Sequence, residues 1–89
     1  MSNVELIEKI NAVIENYDIY SLRELRNALY PLISDIQTSV PREIFDDFAT
    51  NYDCVKYEML YGGDEEDEKL VKDECKEAID AVLEHLKTT

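Results

Sequence analysis

The sequence predicts an all-α fold, a compact antiparallel four-helix bundle, and three observations carry that prediction. Apolar residues recur at helical three/four spacing along the chain, and no run alternates apolar with polar as a half-buried strand would. Helix-start signals stand before the stripes: Ser2 with Glu5, Ser21 with Glu24, Ser39 before Pro41, and Asp64. Each stripe is about three or four residues wide per two turns, the width of a globular core rather than of a coiled-coil seam. With 89 residues the chain suits one domain, an acidic helical unit spanning 1–89.

The first helix is read from Leu6, Ile7, Ile10, Val13, Ile14 and Tyr17, and the pattern breaks around Tyr17–Tyr20. Ser21 and Glu24 then form a capping-box signal. Behind it Leu22, Leu25, Ala28, Leu29, Leu32, Ile33 and Ile36 continue as one stripe with Pro31 inside it. Proline lacks an N–H and its ring collides with the carbonyl four residues back, here Asn27, so this second helix should be kinked or broken near Pro31. The stripe keeps its phase beyond the proline, which favours a kink.

Ser39 suits an N-cap and Pro41 a first turn for the third helix, whose stripe is Ile44, Phe45, Phe48, Tyr52, Val55 and Met59. Gly62-Gly63 ends it, and glycine tolerates the left-handed cap that helices often adopt there. Asp64 should cap the fourth helix, with Leu70, Val71, Cys75, Ala78, Ile79, Val82, Leu83 and Leu86 on its buried side. Glu65 with Lys69 and Glu68 with Lys72 are favourable pairs one turn apart.

Charge is the dominant surface feature. Lys and Arg number 9 against 21 Asp and Glu, a net charge of −12. Residues 43–68 hold ten acids and a single base, Lys56, so most of the imbalance sits in about a third of the chain. Such a field repels phosphate and anionic membrane and attracts basic surfaces. Direct binding to nucleic acid is therefore not expected, because phosphate contacts dominate that affinity. No apolar run approaches the roughly 20 residues that span a bilayer, and the opening MSNVELIEKI is amphipathic and acidic, unlike a secretion signal. A cytoplasmic protein is expected.

The third helix suggests where binding happens. With about 100° per residue and Ile44 at zero, the stripe residues Ile44, Phe48, Tyr52, Val55 and Met59 fall between about 0° and 80°. Glu43, Asp46, Asp47, Thr50, Cys54, Tyr57 and Tyr61 fall between about 200° and 300°, with Glu58 at the edge. Tyr57 and Tyr61 thus share the acidic face, which runs on into Asp64, Glu65, Glu66, Asp67 and Glu68. An acid run at a helix start also complements the helix dipole with no binding role. Tyrosine, however, is favoured at interface centres, and carboxylates around it speed encounter with a basic partner.

No catalytic, metal-binding or cofactor-binding constellation is expected. His85, the single histidine, stands in the last turn of the fourth helix, where a cation suits the dipole. Cys54 falls on a polar face and Cys75 on an apolar stripe, out of register for a disulfide. Consecutive acids from Asp64 to Glu68 lack the alternate spacing and glycine of a calcium loop.

The segments IFDDFATNYDCVKYE and KDECKEAIDAVLEHL, joined by an acid-rich break, form an aromatic-and-acid helix followed by a closing amphipathic helix. Over roughly residues 44–86 this order resembles the small helical immunity proteins of colicin D type and of contact-delivered toxins. The resemblance implies a protein that covers the basic, RNA-binding active site of a toxin nuclease. It would make Asp46, Asp47, Glu58 and the acids of 64–68 phosphate mimics, and Tyr57 and Tyr61 anchors. The partner would be a nuclease toxin or nuclease complex; the sequence leaves the oligomeric state open, with a monomer favoured. Two other readings share this composition: a phage-encoded anti-defence protein that mimics nucleic acid, and a plain interaction or structural module whose acidity serves solubility.

Overall fold

The computed structural model describes residues 2–88. Ser2 opens the first helix: its Oγ accepts the Glu5 N–H at 3.2 Å, and α1 runs Asn3–Glu15. A 3-10 turn, Tyr17–Ile19, follows it. Ser21 then starts α2, Leu22–Leu29, with both halves of a capping box in place. The Glu24 N–H donates to Ser21 Oγ, and the Ser21 N–H donates to the Glu24 carboxylate. Two donors that would otherwise have no intrahelical partner are satisfied at one corner.

Pro31 leaves its mark where the sequence puts it. Around it the chain adopts a 3-10 turn, Tyr30–Leu32, between α2 and α3, Ile33–Ser39. Residues 22–39 thus form one helical stretch whose hydrogen bonding changes at the proline. Val40 is extended, φ −127° and ψ 158°, as befits the residue before a proline. This shifts the next helix start away from expectation. Ser39 is the last residue of α3, and the N-cap of α4 is Pro41, with no side-chain cap. Two residues upstream of the cap, Ser39 is too far back to serve the α4 N–H groups.

α4, Arg42–Tyr61, and α5, Glu65–Thr88, are joined by Gly62, Gly63 and Asp64 and pack along each other. Neither glycine has a positive φ, which corrects the expected left-handed cap. Gly62 is needed for space instead. At φ −80° and ψ −171° it is extended, and a Cβ there would run into the Glu58 carbonyl and carboxylate. Asp64 caps α5 as predicted: its Oδ1 accepts the Glu66 N–H at 2.8 Å.

The stripes meet in one cluster of buried apolar residues. Leu6, Ile10, Val13, Leu25, Leu29, Ile36, Phe48, Val55, Cys75, Ile79 and Val82 are within it. Leu70 is the exception to the predicted stripe and stands 56 % exposed. With no strand among the described residues, the radius of gyration of 12.5 Å matches the ~12 Å expected of a folded chain this long. None of the described helices is long and apolar enough to cross a membrane.

Candidate functional site

Tyr57 and Tyr61 stand on the outer side of α4, one turn apart. They are 65 % and 73 % exposed, and their rings lie 5.0 Å apart at 48°. Leu60 between them is also exposed. The reason is local: Phe48, Tyr52 and Val55 spend the opposite face of α4 on the core, so residues at the far angles have nothing to pack against. The result is an aromatic ledge whose rings already shield part of each other and retain free faces and hydroxyls.

The candidate carboxylates are distributed around this ledge rather than gathered beside it. Asp46 meets Arg42 at 3.6 Å and borders a depression with Gln37 and Phe45. Asp47 opens onto the other flank, in a depression lined with Asn51, Glu74 and Glu77. Asn51 Nδ2 donates to the Asp47 carbonyl at 2.8 Å and holds that turn. Glu43 is exposed in the first turn of α4, where a negative charge suits the dipole.

Glu58 does not project from the ledge. It is half-buried, lies over Gly62, and shares a groove with Arg23, Met59 and Glu68. Glu65 and Glu68 border a second groove with Tyr17, Tyr20, Lys69 and Lys72. Asp64 is committed to capping, while Glu66 and Asp67 remain exposed in the first turn of α5. The acid run therefore points in several directions, as consecutive helical residues must.

Lys72 takes a different partner from the one its spacing suggests. Its Nζ donates to the Tyr20 carbonyl at 2.8 Å instead of pairing with Glu68, and it sits 5.5 Å from the centre of the Tyr17 ring. Lys76 is over the same ring at 5.9 Å. The Tyr17 hydroxyl donates to the Lys72 carbonyl. Burial pushes the Tyr17 phenol well above the usual tyrosine range, with Cys75 and nearby carboxylates adding to the effect. Burial likewise pushes the Cys75 thiol up to about 11, against a hydrogen bond with Tyr17 that lowers it. Burial also raises Tyr52, opposed by the neighbouring Arg26 guanidinium. These groups belong to the core and its corner, and they are poor nucleophiles at neutral pH.

Three exposed acids were missed by the sequence reading. Asp53 is exposed one turn before Tyr57. Glu74 and Glu77 on α5 complete the depression that contains Asp47. A helical wheel for α5 could have found the latter pair, but counting net charge by segment averages them against the lysines of the same helix. Among the described residues no group of three or more His, Cys, Asp or Glu side chains is placed to hold a metal ion. Cys54 is exposed and Cys75 buried. What this surface offers chemically is aromatic area, hydroxyls and carboxylates that accept hydrogen bonds from cations.

No protein-family model matches the chain, no curated protein matches it, and no solved structure matches its fold.

Proposed function

We propose that this chain is an acidic helical inhibitor that occludes the basic, nucleic-acid-binding surface of a nuclease, as an immunity protein does for its toxin. The observation that carries the reading is the exposed Tyr57–Tyr61 ring pair on a segment of net charge −9. Exposed aromatic pairs supply large contact area at low entropic cost, and the surrounding field selects a cationic partner. No family match supports the resemblance to colicin D-type immunity proteins, so the proposal stands on this surface alone. The roles assigned to Glu43, Asp46, Asp47 and the acids of 64–68 belong to the same proposal, with Glu58 the weakest member because it is folded over Gly62.

The scaffold we infer is an antiparallel bundle bent at Pro31. Its support is the short link between α4 and α5 and the pairing of residues across their shared depressions. One depression gathers Asp47 and Asn51 with Glu74 and Glu77, and another, near the link, gathers Glu58 with Glu68. Numbers that fall on one helix as they rise on the other mark opposed directions.

The experiment is a nuclease assay of the neighbouring gene's product, with and without this protein. Purified protein should block cleavage at a one-to-one ratio, with an association rate that falls roughly tenfold between low and high salt. The double variant Tyr57→Ala, Tyr61→Ala should lose at least about 2 kcal/mol of binding while keeping its helical circular dichroism. Unchanged affinity in that variant would remove the ledge from the interface. A protein that self-associates and ignores basic nucleases would instead fit the plain-module reading, and inhibition of a host defence nuclease would fit the phage one.

A further inference from the structure

The lysines of α5 lie along one side of the helix, among Glu65, Asp73 and Asp80, whereas Glu74 and Glu77 stand on a side with no base. With Cys75 at zero, Lys72, Lys76 and Lys69 fall between about 60° and 120° on the helical wheel. Leu70, Glu74 and Glu77 fall between about 200° and 260°, with Glu66 and Asp67 at about 180° and 280°. Two of these lysines are held by contact. Lys72 is tied to the Tyr20 carbonyl and the Tyr17 ring, and Lys76 is held over that ring. On the opposite side Glu74 and Glu77 meet Asp47 across the α4–α5 seam, in a depression lined by Asn51 and those three carboxylates and by no base.

We propose that the docking face spans both α4 and α5, with Asp47, Glu74 and Glu77 as its acidic floor and Tyr57, Tyr61 and Leu70 as its apolar contacts, and that its occupant is a basic protein surface. Leu70 is 56 % exposed on the same side of α5 as Glu74 and Glu77. In the antiparallel register it stands level with Val55, alongside the stretch of α4 that carries Tyr57. An exposed leucine and two exposed tyrosines on adjacent helices offer apolar area to an interface, and the carboxylates set the sign of what covers it. A second copy of the chain would oppose like charges on a molecule of net charge −12, which makes self-association through this face unfavourable. This inference deepens the inhibitor reading and rests on it for the partner's identity, though not for the position of the face.

The probe is a deca-arginine peptide, titrated at low salt into isotope-labelled full-length protein and followed by amide chemical shifts. The expected shifts centre on Asp47, Leu70, Glu74 and Glu77 and on Tyr57 and Tyr61. Glu74→Gln with Glu77→Gln, both exposed, should weaken peptide binding by about tenfold at low salt. Glu8→Gln with Glu15→Gln, on α1, should change it less than twofold. Shifts confined to residues 64–68, or equal losses in both double variants, would overturn the shared face. Dimerisation through Leu70, seen by sedimentation and abolished by Leu70→Ser, would overturn the choice of occupant. The same variants assayed for nuclease inhibition separate the two claims. Inhibition that survives Glu74→Gln with Glu77→Gln would leave the inhibitor and remove the face. A peptide footprint as described, with no nuclease bound, would leave the face and remove the inhibitor.

Discussion

Tyr17 is the residue that most changes meaning between sequence and structure. By spacing it closes the first apolar stripe; in the fold it also bonds α5 and is covered by Lys72 and Lys76. Tyr17→Phe keeps the ring and removes the bond, and it should cost about 1 kcal/mol in urea denaturation. Titration at this corner has a definite sign. The Cys75 thiol moves from 9.0 to about 11 on folding, so the folded protein keeps a proton that the unfolded chain loses first. Its contribution is intact below pH 9.0 and is lost as pH rises towards about 11, with Tyr17 extending the loss upward from 10.0. The urea midpoint should therefore hold between neutral and mildly alkaline pH and drop beyond it, and Cys75→Ala should flatten the first part of that drop. The glycines separate as sharply. Gly62→Ala meets the Glu58 backbone and should destabilise by about 1–3 kcal/mol. Gly63→Ala meets nothing within 4 Å and should be neutral or stabilising by about 0.4–1 kcal/mol. Nothing in the sequence distinguishes the two, because the difference lies in where Glu58 folds.

At the scale of elements, what could be read in advance was what depends on near neighbours. Capping by Ser2, Ser21 and Asp64 involves groups two or three residues apart, and all three caps are present. The apolar stripes, apart from Leu70, read correctly for the same reason, since burial follows the helical period. Ser39 failed because two local rules competed. Pro41 forces Val40 into an extended conformation and moves the cap past the serine. The contrast is measurable: Ser21→Ala should cost about 1 kcal/mol and Ser39→Ala less than about 0.5. Lys72 failed for a different reason. Its partners, Tyr17 and Tyr20, are more than fifty residues away in sequence, and the spacing to Glu68 gave no hint of them. The candidate site was legible to the same extent. Exposure of Tyr57 and Tyr61 follows from the α4 period, whereas Glu74 and Glu77 join Asp47 only through the packing of α5 on α4.

For the whole molecule the governing quantity is charge and its direction. A molecule of net charge −12 with Lys72 and Lys76 drawn to one corner presents an uneven field, and association with any basic partner should be strongly salt-dependent. Self-repulsion at low ionic strength should also lower stability, so the thermal midpoint of the free protein should rise when salt is added, measured by calorimetry. The corner that holds those lysines has a temporal consequence as well. The Tyr17–Lys72 link joins residues 55 apart, whereas α4 and α5 are neighbours along the chain. Long closures are entropically slow, so α4 and α5 should pack first and the corner should latch late. Interactions that form after the rate-limiting step act on how quickly a protein comes apart. Tyr17→Phe should therefore steepen the escape from the native state and leave refolding at its original pace, making this corner the clasp that sets the protein's lifetime.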